Sequence, residues 1–312
     1  MSDQSSPNES PVVIQTEQLT MHYRRCEALR GVDLQIRAGT VFAILGENGA
    51  GKTSLIRILT GFQTPTAGTC RVNGLDPLTQ GDQVRRLIGY VPDAPPLYGW
   101  MTVEQIGSFT ASFYWPEYRD RFNQSIAQYK VDPKQKIKYL SKGQRAKVAL
   151  SLAVSHDPEL LILDEPTSGL DPKVRREFLE SMIDRAAAGR TVFLSSHQIA
   201  EVERVADCVA ILHDGVIVMS GSIDEIRSAI TRVVVDFDDP HVALPELPPP
   251  ARVLVDERER TGRRWFVRDF DPEMVDLIRH SPGVLDVRVH PATLEEVFVA
   301  CTTGNATEVV TS

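Results

Sequence analysis

The stretch Gly46-Glu47-Asn48-Gly49-Ala50-Gly51-Lys52-Thr53 has the form GxxxxGK[ST], and its residue types suit one task, the cradling of a phosphate chain. Glycines let backbone amides approach phosphate oxygens with no Cβ in the way. The apolar run Thr40 to Leu45 leads into the loop, and a helical pattern follows from Lys52 to Leu59 with Leu55, Ile56 and Leu59 on one face. That strand–turn–helix context aims the positive end of a helix at the same anion. Lys52 adds a point charge for the β- and γ-phosphates, and the Thr53 hydroxyl is placed to ligate Mg²⁺. The loop alone implies a nucleoside triphosphate and nothing narrower, because kinases, GTPases and helicases share it.

Two carboxylates narrow the choice. The apolar run Leu160 to Leu163 ends in Asp164-Glu165. A buried strand is expected to carry an aspartate only at an exposed end, so Asp164 should face the phosphate loop and hold Mg²⁺, directly or through water. Glu165 points elsewhere and is the candidate to orient or deprotonate an attacking water. Pro166 to Asp171 follows at once, and upstream Leu140-Ser141-Lys142-Gly143-Gln144-Arg145 opens a helix. Ser141 and Gly143 therefore begin a second helix terminus able to bind an anion.

These motifs together resemble the nucleotide-binding subunit of ATP-binding cassette (ABC) transporters. The LSxGQ-like signature lies 23 positions ahead of Asp164 (164 − 141), and residues 12 to about 230 follow the cassette pattern. The resemblance implies ATP and Mg²⁺ as ligands, with Gly46 to Ser54 as the phosphate loop, Asp164 as metal ligand and Glu165 as catalytic base. It implies that Tyr23 stacks on adenine and that His197, after Thr191 to Ser196, touches the γ-phosphate. It also implies that Ser141, Gly143 and Gln144 touch the γ-phosphate held by a second cassette, with Asp171 at the dimer interface. One chain cannot aim both helix ends at one phosphate if they lie on opposite lobes, whereas a head-to-tail pair can. Two positions depart from the family pattern. Lys142 replaces the usual second glycine of the signature, and Asp93 stands where most cassettes have glutamine. Asp93 is either a metal ligand coupling the site to the helical block or a residue that merely ends a strand.

The elements that must carry these residues read as an α/β core: a P-loop NTPase cassette with a mixed sheet and an inserted helical subdomain. Strand character is expected at Val12–Thr16, Val32–Ile36 and Thr40–Leu45. From Met101 to about Asp157 only helices are expected, at Thr102–Tyr114, Tyr118–Tyr129 and Ser141–Ser155, with Thr102 and Gln105 suiting a capping box. After Pro158 strand and helix alternate: strand Leu160–Leu163, helix Lys173–Ala188, strand Thr191–Ser195, helix Gln198–Ala206. Strands Val209–Leu212 and Val216–Met219 then flank the turn His213-Asp214-Gly215. From Thr231 the pattern restarts as a small α/β unit: strand Val233–Phe237, a proline-rich loop over Ala243–Pro250 and a hairpin of Arg252–Asp256 with Trp265–Arg268. Helix Pro272–His280, strand Val284–Val289 and helix Thr293–Ala300 complete it. The expected organisation is a disordered tail over residues 1–11, a cassette over 12–230 with its helical subdomain at about 94–157, and an accessory domain over 231–312.

Composition sets the outer limits. An apolar fraction of 42% with 24% charged residues over 312 positions suits a folded globular chain. A net charge of −8 argues against nucleic acid as partner. The four cysteines are scattered with no CxxC pair, which suggests neither a metal cluster nor a disulfide framework. The N-terminus lacks the basic start and apolar core of a signal peptide, and no apolar run approaches the ~20 residues of a membrane-spanning helix. Any transport role is thus expected through a separate membrane permease, with this chain at the cytoplasmic face of the membrane. The short helical block and the ending Thr293-Leu294-Glu295-Glu296-Val297-Phe298 resemble cassettes paired with ABC-2 type permeases, mostly bacterial exporters. Two other classes of cassette carry features that this sequence lacks. A translation or DNA-repair cassette would bring a second cassette, a coiled coil or a zinc cluster, and a non-hydrolysing cassette would lack Glu165 or Ser141; the sequence has neither set of features.

Overall fold

The computed structural model describes residues 10–238 and 244–303. Of the tail expected at 1–11, residues 1–9 lie outside them. At Ser10 and Pro11 the chain is tied down, for the Pro11 carbonyl accepts from the Ala38 amide and the Ser10 carbonyl from Arg37. The chain divides into two compact units. The first ends at Asp207 and includes Asp214–Val216; the second comprises Cys208–His213 and everything from Ile217 onward.

In the first unit, β1 (Val12–Tyr23) pairs antiparallel with β2 (Cys26–Arg37). β3 (Val41–Leu45) enters the phosphate loop, and α1 (Lys52–Leu59) leaves it. β4 (Ala67–Val72) returns to the free edge of β1, giving an antiparallel sheet β2-β1-β4. Helix α2 (Gly81–Leu87) leads directly into β5 (Ile88–Val91). Helices α3 (Val103–Ala111), α4 (Glu117–Gln128) and α5 (Lys142–Val154) form the all-helical block. Then come β6 (Leu160–Asp164), α6 (Pro172–Ala187), β7 (Thr191–Ser196) and α7 (Ile199–Val205).

β5, β6, β7 and β3 lie side by side in that order, all parallel. Parallel strands covered on both faces read as unbroken apolar runs, and every residue of β3, β6 and β7 is buried. Each fully buried Val, Leu or Ile side chain contributes about 1.5–3 kcal/mol, which makes this layer the rigid floor of the site. The helical block has its own core, in which Tyr118, Phe122, Ile126, Val103, Ile106 and Val148 pack together. Its entry is fixed by Thr102, whose hydroxyl accepts from the Gln105 amide while the Gln105 side chain accepts from the Thr102 amide, the capping box expected there.

The second unit holds the hairpin β8 (Cys208–His213) and β9 (Val216–Ser222), then α8 (Ile223–Ala229). β10 (Ile230–Phe237), β11 (Arg252–Glu259), β12 (Gly262–Arg268) and β13 (Val284–Pro291) form an antiparallel sheet in the order β11-β12-β10-β13. Helices α9 (Met274–Arg279) and α10 (Leu294–Thr303) accompany it. Val233, Val235, Trp265, Val267 and Ile278 make its core, and Arg232 grips Glu296 of α10 at 2.7 Å. Of the expected proline-rich loop, Ala243 lies outside the described residues, and 244–250 form no helix or strand.

Four elements escaped the sequence reading: β4, α2, β5 and α8. β1 and β2 are also longer than expected, at 12 residues each. The alternation of β1 breaks where Gln18 adopts a positive φ of 46° and the register with β2 shifts between Thr16 and Leu19. A strand with such a bulge loses its period of two, so only its first half was legible.

Candidate functional site

α1 starts directly after its N-cap Gly51, whose φ of 111° only glycine adopts readily. A Cβ there would stand 2.2 Å from the Ala28 carbonyl oxygen, so the loop lies flat against β2. No side chain caps α1 and no acidic residue sits in its first turn. Its first amides are therefore left for an outside acceptor.

Lys52 is only 6% exposed. Its ammonium donates to the Gly46 carbonyl at 2.6 Å and the Glu47 carbonyl at 3.2 Å, and lies 3.1 Å from Glu165 Oε1. Glu165 Oε2 in turn meets His197 Nδ1 at 2.7 Å. Thus Lys52, Glu165 and His197 form one chain of contacts across the ends of three neighbouring elements. Thr53 Oγ1 points at Asp164 Oδ1 across 3.4 Å. Tyr23 is exposed, with its hydroxyl 3.4 Å from Ser54 Oγ.

A cavity of about 360 Å³ gathers these groups. Its walls include Tyr23, Glu47 to Gly49, Gly51 to Ser54, Asp93 and Glu165. The structure therefore brings the phosphate loop, Tyr23, Asp93 and Glu165 to one hollow, with Asp164 and His197 behind them. Ser141, Gly143 and Gln144 are not among its walls. They open α5, where Ser141 accepts from the Gln144 amide at 3.1 Å and Gln144 Oε1 from the Ser141 amide at 2.9 Å. That bond uses Ser141 as an acceptor and leaves its O–H to donate outward. Lys142 is exposed, and its ammonium lies close to the Cα side of Gly169.

One expectation is corrected. Asp164 does not sit at an exposed strand end; it is buried, at 2% exposure. The strand tolerates it because Ser195 Oγ donates to Asp164 Oδ1 at 2.8 Å, with Thr53 as a weaker second donor. Burial pushes the Asp164 carboxyl above its ordinary range; the Ser195 and Thr53 hydrogen bonds oppose this, while the charges of Glu165 and Asp93 add to it.

The sequence reading also missed Ser195, Glu201, Thr167 and Arg175. Glu201 is buried on α7, accepts from Thr167 Oγ1 at 2.5 Å and pairs with Arg175 Nε at 3.1 Å. Arg175 also donates to Gln198 Oε1 and to the Leu170 carbonyl. This knot ties the segment after Glu165 to the segment after His197. The available signal was a polar side chain inside an otherwise apolar pattern, above all Ser195 in the run from Thr191.

The donors suit Mg²⁺. Among the described residues no three His, Cys, Asp or Glu side chains converge as a metal cage. What the site offers is a hydroxyl (Thr53) and carboxylates (Asp164, Asp93) around a phosphate cradle. Mg²⁺ is held in that manner, by one or two carboxylates plus substrate phosphates.

Strand, phosphate loop, helix and acidic strand end define a nucleotide-binding P-loop cassette. Residues 29–168 match the family model described as ABC transporter. An uncharacterised ABC transporter ATP-binding protein of Nostoc sp. is 35% identical over 241 residues, 72% of this chain and 70% of that one. The Nod factor export ATP-binding protein I of Neorhizobium galegae is 31% identical over 303 residues, 95% of this chain and 86% of that one. Among solved structures, an ATP-binding subunit of an ABC transporter superposes with a TM-score of 0.64 at 31% identity, covering 69% of this chain and 92% of that one. The chain belongs to the ABC transporter family, as one of its ATP-binding subunits.

Proposed function

We propose that this chain hydrolyses ATP to drive a separate membrane permease, working as a pair of cassettes with nucleotide sandwiched between them. The observation that carries this reading is the position of Glu165, held between Lys52 and His197 at the mouth of the phosphate cradle. A phosphate entering the cavity competes with Glu165 for the Lys52 ammonium. Glu165 is then available to accept a proton from the attacking water, and His197 orients it from the far side. Thr53 and Asp164, with Asp93 in reach directly or through a water, would hold Mg²⁺, which would supply positive charge to offset that of the phosphates. Tyr23 supplies an aromatic face for adenine at the open end of the cavity. Gly46 to Ser54 wrap the phosphates with their amides.

The pairing of cassettes is supported by where the signature lies. Ser141, Gly143 and Gln144 stand outside the cavity formed by their own chain. A second copy, or a related cassette, would bring them to the γ-phosphate as donors at a helix N-terminus, with the Ser141 O–H free to donate outward. Lys142, a cation at the first position of α5, runs against the helix dipole unless an anion docks there.

The permease partner is supported by the helical block. Beside it a second cavity of about 360 Å³ is walled by Phe62, Tyr90, Leu97, Tyr98, Phe109 and Tyr114, among others. Trp100 and Phe113 are each 67% exposed nearby. Such an aromatic surface suits a partner protein. The reading as an exporter of the ABC-2 type rests on the residues of the C-terminal helix and on the likeness to the Nod factor export protein along 95% of this chain. The chain would then work at the cytoplasmic face of the membrane; among the described residues no helix is long and apolar enough to cross one.

Phosphate release from ATP by the purified chain tests the proposal. Glu165→Gln is expected to bind ATP as the parent does and to hydrolyse it at least about 100-fold more slowly, the usual worth of a general base. Parental turnover by that variant would remove Glu165 from its role. Co-purification with a six-helix membrane protein would be expected from detergent-extracted membranes.

A further inference from the structure

Glu165 carries an unusual backbone. Its φ is +47°, a left-handed conformation that costs a non-glycine residue about 1 kcal/mol or more. Such a conformation persists only where neighbours over-determine it. Here the neighbour is visible. Ser195, on β7, lies directly across from Asp164 in the parallel pairing of β6 and β7 and is wholly buried. Its Oγ accepts from the Glu165 amide at 2.9 Å while its O–H donates to Asp164 Oδ1 at 2.8 Å. A hydroxyl is the smallest side chain that can do both at once. The next residue, Ser196, cannot substitute, because its Oγ is engaged by the Gln198 amide.

We infer that Ser195 is a positioning residue of the hydrolytic centre, fixing with one hydroxyl both the carboxylate of Asp164 and the turned backbone that aims Glu165 at the cavity. The inference rests on the ATPase reading above and adds to it a fully buried residue that is not among the walls of the nucleotide cavity. Without the hydroxyl, the half-buried Glu165 amide loses its acceptor and Asp164 keeps only the long contact from Thr53. The phosphate loop is untouched, so binding and turnover should separate.

The test compares the parent with Ser195→Ala, Ser195→Thr and Ser196→Ala in the full chain. Amide hydrogen exchange at Glu165 is read first, with no nucleotide added. Ser195→Ala is expected to speed exchange at Glu165 about tenfold or more, while Ser195→Thr, which keeps the hydroxyl, and Ser196→Ala stay near the parent. Steady-state kinetics should then show kcat about tenfold lower in Ser195→Ala with KM for ATP unchanged, and recovery in Ser195→Thr. Thermal melting separates this from general loosening. Exchange that rises equally along β6 and β7, in step with a lower Tm, would reduce Ser195 to strand packing and overturn the assignment. Parental exchange and parental kcat in Ser195→Ala would overturn it too. Because exchange is read without ATP, failure of the ATPase reading and failure of the Ser195 assignment are separate results.

Discussion

An ammonium at 6% exposure needs oxygen neighbours, and Lys52 has three: two loop carbonyls and Glu165. Phosphate oxygens would be stronger partners, since hydrogen bonds between ionised groups are shorter and stronger than those to carbonyls. Lys52→Ala is therefore expected to weaken ATP binding by about 1.5–3 kcal/mol, roughly ten- to hundredfold in Kd. Titration calorimetry with ATP checks this, and an unchanged Kd would place the phosphates elsewhere. Asp93 is a finer case. It lines the nucleotide cavity and raises the carboxyl of Asp164 by its charge, so two carboxylates face one small volume and repel unless a cation lies between them. Asp93→Ala is expected to raise the Mg²⁺ concentration needed for half-maximal hydrolysis, and Asp93→Gln to recover part of it through a neutral oxygen. Identical Mg²⁺ titrations for all three chains would make Asp93 only a turn residue after β5.

At the scale of elements, the phosphate loop is held as much by its floor as by its own sequence. Gly39 and Gly51 both have positive φ, 81° and 111°, but a Cβ on Gly39 meets nothing within 4 Å while one on Gly51 runs into the Ala28 carbonyl. Gly39→Ala is expected to cost about 1 kcal/mol, the price of φ alone. Gly51→Ala should cost clearly more and should also lower ATP affinity, because the loop must lift from β2. Denaturant midpoints decide it, and equal losses for the two variants would show that the close approach does not constrain the loop. The same contrast explains what the sequence made legible. β3, β6 and β7 are short, wholly apolar and next to glycine or acidic punctuation, so they and α1 could be read directly. β4 buries only Cys70 and Val72, α2 only Val84, and β5 has four residues including Gly89, whose missing Cβ makes room for the Ala153 carbonyl. None carries enough pattern to stand out. Ser195 was hidden for another reason: its role depends on β6 and β7 being neighbours in register, a fact of pairing rather than of local sequence.

For the whole molecule, the cavity walls run from Tyr23 to Ser54 with Asp93 and Glu165, and all belong to the first compact unit. We propose that the accessory domain, taken as residues 231–312, is not required for nucleotide binding. A chain ending at Ile230 is expected to bind ATP within about threefold of the parent, under ~0.7 kcal/mol. A folded, soluble truncation that binds no ATP would refute this. The larger claim is that one chain holds only half of each working site, the cradle and base on one surface and the Ser141 helix end on another. Light scattering of the Glu165→Gln chain with and without ATP and Mg²⁺ addresses it most directly. The account expects the mass to double on adding ATP and to return to that of one chain when the nucleotide is removed. A single-chain mass at saturating ATP would contradict the shared site.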